Sequence, residues 1–179
     1  YLAKPSKKGK FPAVIVIHEN RGLNPHIEDV TRRLALAGFI AFAPDALYPQ
    51  GGYPGDEDKA RELFSTLDQD KTRQDFIASV AILQKLPQGN GKVGVVGFCY
   101  GGGMANFLAT ELPDLAAAVP FYGRQADLDK VAAIKAPLLI HYASMDERVN
   151  AGAKAYDDAL KVAGKTAQSF VYPDTQHGF

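Results

Sequence analysis

Residues 92–103 read KVGVVGFCYGGG, and this stretch decides the fold. Residues 93–98 form a short apolar run of strand type, and a helical period follows from about 102 to 112. Gly97 and Gly101 stand two positions either side of Cys99. That is the pattern of a sharp strand-to-helix elbow that presents a nucleophile, with Cys where Ser is usual. The glycines have a steric reason, since larger side chains would clash with backbone folded back on itself. The bend lifts the sulfur to the carboxyl end of a sheet and aims it at a helix N-terminus, where the helix dipole favours thiolate. Two other uses of the glycines fail on spacing. A dinucleotide fingerprint starting at Gly101 needs Gly or Ala where Asn106 stands, and a phosphate loop ending at Gly102 needs Lys where Gly103 stands.

The flanking sequence alternates strand and helix patterns. Upstream, 12–18 (PAVIVIH) reads as a buried strand. Ile27, Val30, Leu34 and Ala37 then recur at helical spacing, with Asn24 as N-cap, Pro25 at the first helical position and Gly38 past the end. A strand at 39–43 and a Gly/Pro-rich loop at 46–55 follow. A helix carries Ala60, Leu63, Phe64 and Leu67. Thr72 with Asp75 resembles a capping box that opens another helix, with Phe76, Val80 and Leu83 on its apolar face. Gly89-Asn90-Gly91 reads as a turn before the strand at 92–98. Downstream, strands at 116–122, 137–143 and 167–172 alternate with helices near 127–134 and 151–163. This alternation predicts an α/β fold, a mostly parallel central sheet with helices on both faces. With no repeat, linker or low-complexity tract, one domain over 1–179 is expected.

A nucleophile at such an elbow calls for an acid and then a histidine later in the chain. The strand at 137–143 runs into Ser144-Met145-Asp146, and the strand at 167–172 into Pro173-Asp174-Thr175-Gln176-His177. Both groups would emerge with Cys99 at the carboxyl edge of a parallel sheet, where the sites of α/β proteins lie. Alone, Asp146 reads as a helix cap or surface charge, and His177 as a loop histidine. In this order they predict a Cys99–His177–Asp146 triad. His18 and His141 fit structural or pocket-lining roles, and His26 a helix surface. Phe121 and Tyr122 fall beside the elbow as pocket-lining candidates.

Taken together, Ile17-His18-Glu19-Asn20-Arg21-Gly22, the Cys99 elbow, Asp146 and His177-Gly178-Phe179 resemble the dienelactone hydrolase family, also called carboxymethylenebutenolidases, on the α/β-hydrolase fold. The resemblance implies Cys99 as nucleophile, His177 as base and Asp146 as its orienter. It implies that Glu19 helps manage the thiol proton, and that the N–H groups of Tyr100 and Asn20 form the oxyanion hole. In the family, arginines hold the carboxylate of dienelactone. The nearest basic residues in the first such region are Lys59 and Arg61, and the second position falls beyond Phe179, as does the family's C-terminal helix. Arg21 and Arg124 are further substrate-carboxylate candidates. The function expected is hydrolysis of an activated ester or enol lactone through a thioester. A broad carboxylesterase or thioesterase, and a non-catalytic thiol sensor, stay open as alternatives.

Composition narrows the classes further. Lys plus Arg equals Asp plus Glu at 20 each, which gives no electrostatic case for nucleic acid or an anionic membrane surface. No apolar run is long enough to span a bilayer. The single Cys allows no intrachain disulfide. No His or Cys cluster has metal-ligand spacing, so neither metal nor cofactor is expected. The expected partner is a small ester or lactone, with the protein a monomer or homodimer. A cytoplasmic location is expected. Tyr1 and Phe179 read as cuts through a longer protein, which leaves an exported form open.

Overall fold

Three strands begin the chain: β1 (Leu2–Ala3), β2 (Phe11–Ile17) and β3 (Ile40–Phe42). The computed structural model describes all of residues 1–179, in two units, Tyr1–Gly94 and Val95–Phe179. In the first unit the strands lie in the order β1-β3-β2. β2 and β3 are parallel, with Ala13 opposite Ile40, while the short β1 is antiparallel to β3. Helix α1 (Pro25–Leu36) begins where its cap predicts, with the Ile27 N–H donating to Asn24 Oδ1 at 3.1 Å. Ile15, Ile17, Ile27, Ile40, Leu47 and Phe76 are fully buried in this unit. Each such side chain contributes about 1.5–3 kcal/mol of hydrophobic stabilisation.

Two helices follow, α2 (Glu57–Ser65) and α3 (Gln69–Gln84). The cap of α3 is Asp68, not Thr72, and the Lys71 N–H donates to its Oδ1 at 3.0 Å. Asp68 wins because a carboxylate caps as well as a hydroxyl and favours the positive helix end. Thr72 sits within the first turns, its hydroxyl donating to the Asp68 carbonyl. Strand β4 (Gly89–Phe98) is longer than expected. The residues read as a turn belong to it, and Gly91, at φ +83°, absorbs the irregularity.

The second unit holds the end of β4, then β5 (Ala117–Phe121), β6 (Leu138–Ala143) and β7 (Ala167–Tyr172), in the order β4-β5-β6-β7. β5, β6 and β7 are parallel, and Phe121, His141 and Phe170 stand in register across them. Helix α4 (Tyr100–Glu111) follows β4 directly. The helix expected near 127–134 is a 3-10 turn, Leu128–Ala133. That expected at 151–163 is α6 (Ala153–Val162), and a short helix, α5 (Glu147–Asn150), precedes it. Ile140, Tyr142, Tyr156, Leu160 and Leu108 are buried here. The parallel ladders with helices between them are the α/β arrangement that the alternation predicts. No helix is long and apolar enough to cross a membrane.

Candidate active site

Cys99 occupies the bend between β4 and α4 with φ +52° and ψ −110°, a sparsely populated backbone conformation that costs an L-residue about 1–3 kcal/mol. Its own backbone groups hold it there. The Cys99 N–H donates to the Phe121 carbonyl at 3.0 Å, and its carbonyl accepts from the Gly103 N–H at 3.1 Å. A Cβ on Gly97 would lie 1.9 Å from the Gly101 carbonyl oxygen. The packing also demands glycine at 102, where a Cβ would come within 2.4 Å of the Phe121 oxygen. The turn after β5 is pressed as closely, since a Cβ on Gly123 would lie 2.3 Å from Gly102 C. The elbow is thus clamped between α4 and the end of β5, which the residue pattern around Cys99 alone did not announce.

Asp146 follows β6 and is buried, with 6% of its surface exposed. Both of its oxygens are in use. Oδ1 accepts from the Val149 N–H at 3.3 Å, which makes Asp146 the N-cap of α5, and Oδ2 accepts from His177 Nδ1 at 2.5 Å. The cap reading and the triad reading of this residue are therefore compatible. The carboxylate only accepts, so it assigns the proton to Nδ1 and turns Nε2 toward the sulfur. His177 Nε2 lies 3.0 Å from Cys99 Sγ.

The acid and histidine loops are stitched together through their backbones. Ser144 N–H donates to the Tyr172 carbonyl and Met145 N–H to the Thr175 carbonyl, each at 3.0 Å. The turn between them places Asp174 at φ +55°. Asn150 Nδ2 donates to the Ala143 carbonyl at 2.7 Å and so fixes the exit of β6. Neither Asn150 nor Gly123 carried a sequence signal of this role.

An aromatic group surrounds the histidine. The Tyr122 ring lies 5.1 Å from the His177 ring, edge-on, and 5.3 Å from Phe179. Phe121 stacks on His141 at 4.2 Å, and His141 Nδ1 pairs with the Tyr172 hydroxyl at 2.9 Å. Burial pushes the His141 pKa down, and pushes that of Tyr142 up to about 12. The second unit therefore brings together Cys99, Asp146, His177 and Tyr122, with Tyr100 at the first position of α4.

The remaining candidates belong to the first unit or are engaged in ion pairs. Glu19, Asn20, Arg21, Lys59 and Arg61 belong to the first unit. Arg21 donates to Glu57 at 2.6 Å, Arg61 pairs with Asp58, and in the second unit Arg124 pairs with Asp127 at 3.4 Å. His18 is structural. It is fully buried, with Nδ1 donating to the Glu19 carbonyl and Nε2 accepting from the Ala46 N–H at 3.0 Å. His26 is exposed on α1, as expected.

A strand–elbow–helix turn on a parallel sheet, with acid and histidine loops at the same strand ends, defines a hydrolase of the α/β-hydrolase fold. All of residues 1–179 match the dienelactone hydrolase family, and the chain belongs to it. It is 31% identical to a "Putative carboxymethylenebutenolidase" of Methylorubrum extorquens, over 100% of this chain and 67% of that one. A 69-residue stretch, 38% of this chain, is 65% identical to 59% of the Escherichia coli K12 "Putative hydrolase fragment YghX". Among solved structures, a "Putative Dienelactone Hydrolase" of Klebsiella pneumoniae superposes with a TM-score of 0.86 at 29% identity. That superposition covers 98% of this chain and 80% of the Klebsiella chain.

Proposed function

We propose that the protein hydrolyses activated carboxylic esters or enol lactones through a Cys99–His177–Asp146 triad and a thioester intermediate. The observation that carries this reading is the continuous line of contacts from Cys99 Sγ through His177 to the buried Asp146 carboxylate.

In the first half-reaction His177 Nε2 takes the thiol proton and the sulfur attacks the substrate carbonyl carbon. The carbonyl oxygen becomes an oxyanion facing the proposed donor, the Tyr100 N–H at the start of α4. The carbon–oxygen bond to the leaving group then breaks, the alcohol or enol departs with the proton from His177, and a thioester remains. In the second half-reaction water gives a proton to His177 and attacks the thioester. The acid is released, and the sulfur recovers its proton. Asp146 keeps Nδ1 protonated throughout. Glu19 and Asn20 enter this reading only through the family resemblance, as thiol-proton partner and second oxyanion donor.

Sulfur restricts the substrate. A thiolate leaves more readily than an alkoxide, so a tetrahedral adduct of a plain alkyl ester tends to revert. Enol lactones, aryl esters and thioesters carry leaving groups stable enough to avoid that return. The test is a panel of these three classes with wild type and Cys99→Ala. A burst of phenol from an aryl ester, absent in Cys99→Ala, is the expected result. Equal turnover by the two proteins overturns the proposal. Partner binding with no turnover of any class favours the thiol-sensor alternative.

A further inference from the structure

We infer that Tyr122 is a positioning residue, whose ring holds the His177 imidazole in line between Asp146 and Cys99. The inference rests on the triad reading and adds to it the group that keeps the base aligned.

Two independent observations carry it. The first is backbone geometry. Only three non-glycine residues have positive φ, namely Cys99, Asp174 and Tyr122, the last at +35°. Cys99 and Asp174 have local reasons, the elbow and the turn that delivers the histidine loop. A bulky aromatic residue at such an angle is a strained conformation, and strain of this kind persists where the surroundings impose it, typically at functional sites. Two contacts impose it here. The Tyr122 N–H continues the β5–β6 ladder to the His141 carbonyl at 2.8 Å, and the next residue, Gly123, is pressed against Gly102.

The second observation is where the ring lies. Tyr122 is 5% exposed, and its ring meets the imidazole at 5.1 Å with 64° between the planes. Phe179 at 5.3 Å, with Phe98 and Phe121 at 6.3 Å, backs the ring from other sides. The imidazole needs such a wall, because a third of the His177 side chain, 34%, is exposed. Its two polar contacts are made at Nδ1 and Nε2, both in the ring plane. They fix the direction of the line joining Asp146 to Cys99, but they resist rotation of the ring about that line only weakly. An aromatic plane set across the ring blocks that rotation.

The experiment compares Tyr122→Leu, Tyr122→Phe and His177→Ala with wild type, in kcat, KM and the pH dependence of iodoacetamide alkylation. Cys99 is the only cysteine, so alkylation reports it alone. Alkylation is a direct displacement at carbon and needs no oxyanion hole. An imidazole held against the sulfur extends reactivity below the ordinary thiol range near pKa about 8.5. Tyr122→Leu should lose about tenfold to a hundredfold in kcat with little change in KM. Its alkylation profile should move toward that of His177→Ala, while Tyr122→Phe should retain the wild-type profile. Should Tyr122→Leu fail to fold, Tyr122→Gly makes the same comparison, because glycine accepts the positive φ. A Leu or Gly variant with the wild-type profile overturns the inference. So does a Phe variant that behaves like Leu, which would assign the effect to the hydroxyl. A His177→Ala profile identical to wild type is a different failure, since it removes the triad reading itself.

Discussion

His177 Nε2 stands 3.0 Å from Cys99 Sγ, although 78 residues separate them in the chain. The contact depends on a bend at one end, where Cys99 is held by the Phe121 carbonyl, and on a loop at the other, tied by Met145 to Thr175. Neither residue reaches its position through its own helix or strand alone.

Asp146 serves as helix cap and as partner of the histidine, and substitution can separate the two. Asn is as good an N-cap as Asp but does not hold His177 in the same tautomer. Asp146→Asn should therefore keep the melting temperature near wild type while kcat falls by about 10⁴. Asp146→Ala should lose activity and also about 1 kcal/mol of stability through the cap. Urea titration beside ester turnover checks both. Near-normal kcat in Asp146→Asn would count against the tautomer argument.

The strained backbone at Cys99 predicts an inverted order of stability. Alanine is ordinarily the better choice than glycine in folded structure. At φ +52° the Cβ is the liability, so Cys99→Gly should be more stable than Cys99→Ala by about 1–3 kcal/mol, with both inactive. Denaturant midpoints measured side by side decide it, and the usual order would sink the claim.

Gly102→Ala places a methyl group within 2.4 Å of the Phe121 oxygen, the backbone that also receives the Cys99 N–H. Overpacking there should cost about 1–3 kcal/mol and shift the sulfur away from His177. Stability and aryl-ester kcat should fall together. A variant stable as wild type would mean that the elbow has slack.

Cys99→Ser replaces the better leaving group with a poorer one. The ratio of alkyl-ester to enol-lactone kcat/KM should rise, because alkyl adducts no longer revert through sulfur. An unchanged ratio would remove the chemical argument for activated substrates.

Acid should destabilise the protein through buried neutral histidines. Burial holds His18 below its ordinary value of 6.5, against the raising influence of the Glu19 carbonyl and of Asp45. Burial lowers His141 in the same direction. Below the unfolded value the unfolded chain binds protons that the folded chain refuses. This contribution to stability is complete above pH about 6.5 and declines as pH falls toward the folded-state values. Protonation of His18 Nε2 would also set it donor to donor against the Ala46 N–H. Melting temperature should drop between pH about 7 and 5, less steeply in His141→Phe. A flat profile would overturn the assignment.

The local pattern of the chain determined most of the secondary structure and the identity of the candidate site. Strand and helix periods reflect burial along one element, the elbow glycines flank the end of β4, and Asp146 and His177 lie in the loops that follow β6 and β7. The cap of α3 falls at Asp68, about a turn before the Thr72 that the local pattern indicated, and the Thr72 hydroxyl donates instead to the Asp68 carbonyl. Tertiary structure alone decided the positive φ of Tyr122, the press of Gly123 on Gly102, and the ring of Tyr122 against His177. Those features arise where separate elements meet. Their cause is close packing between residues distant in the chain, which no periodicity along a single segment encodes.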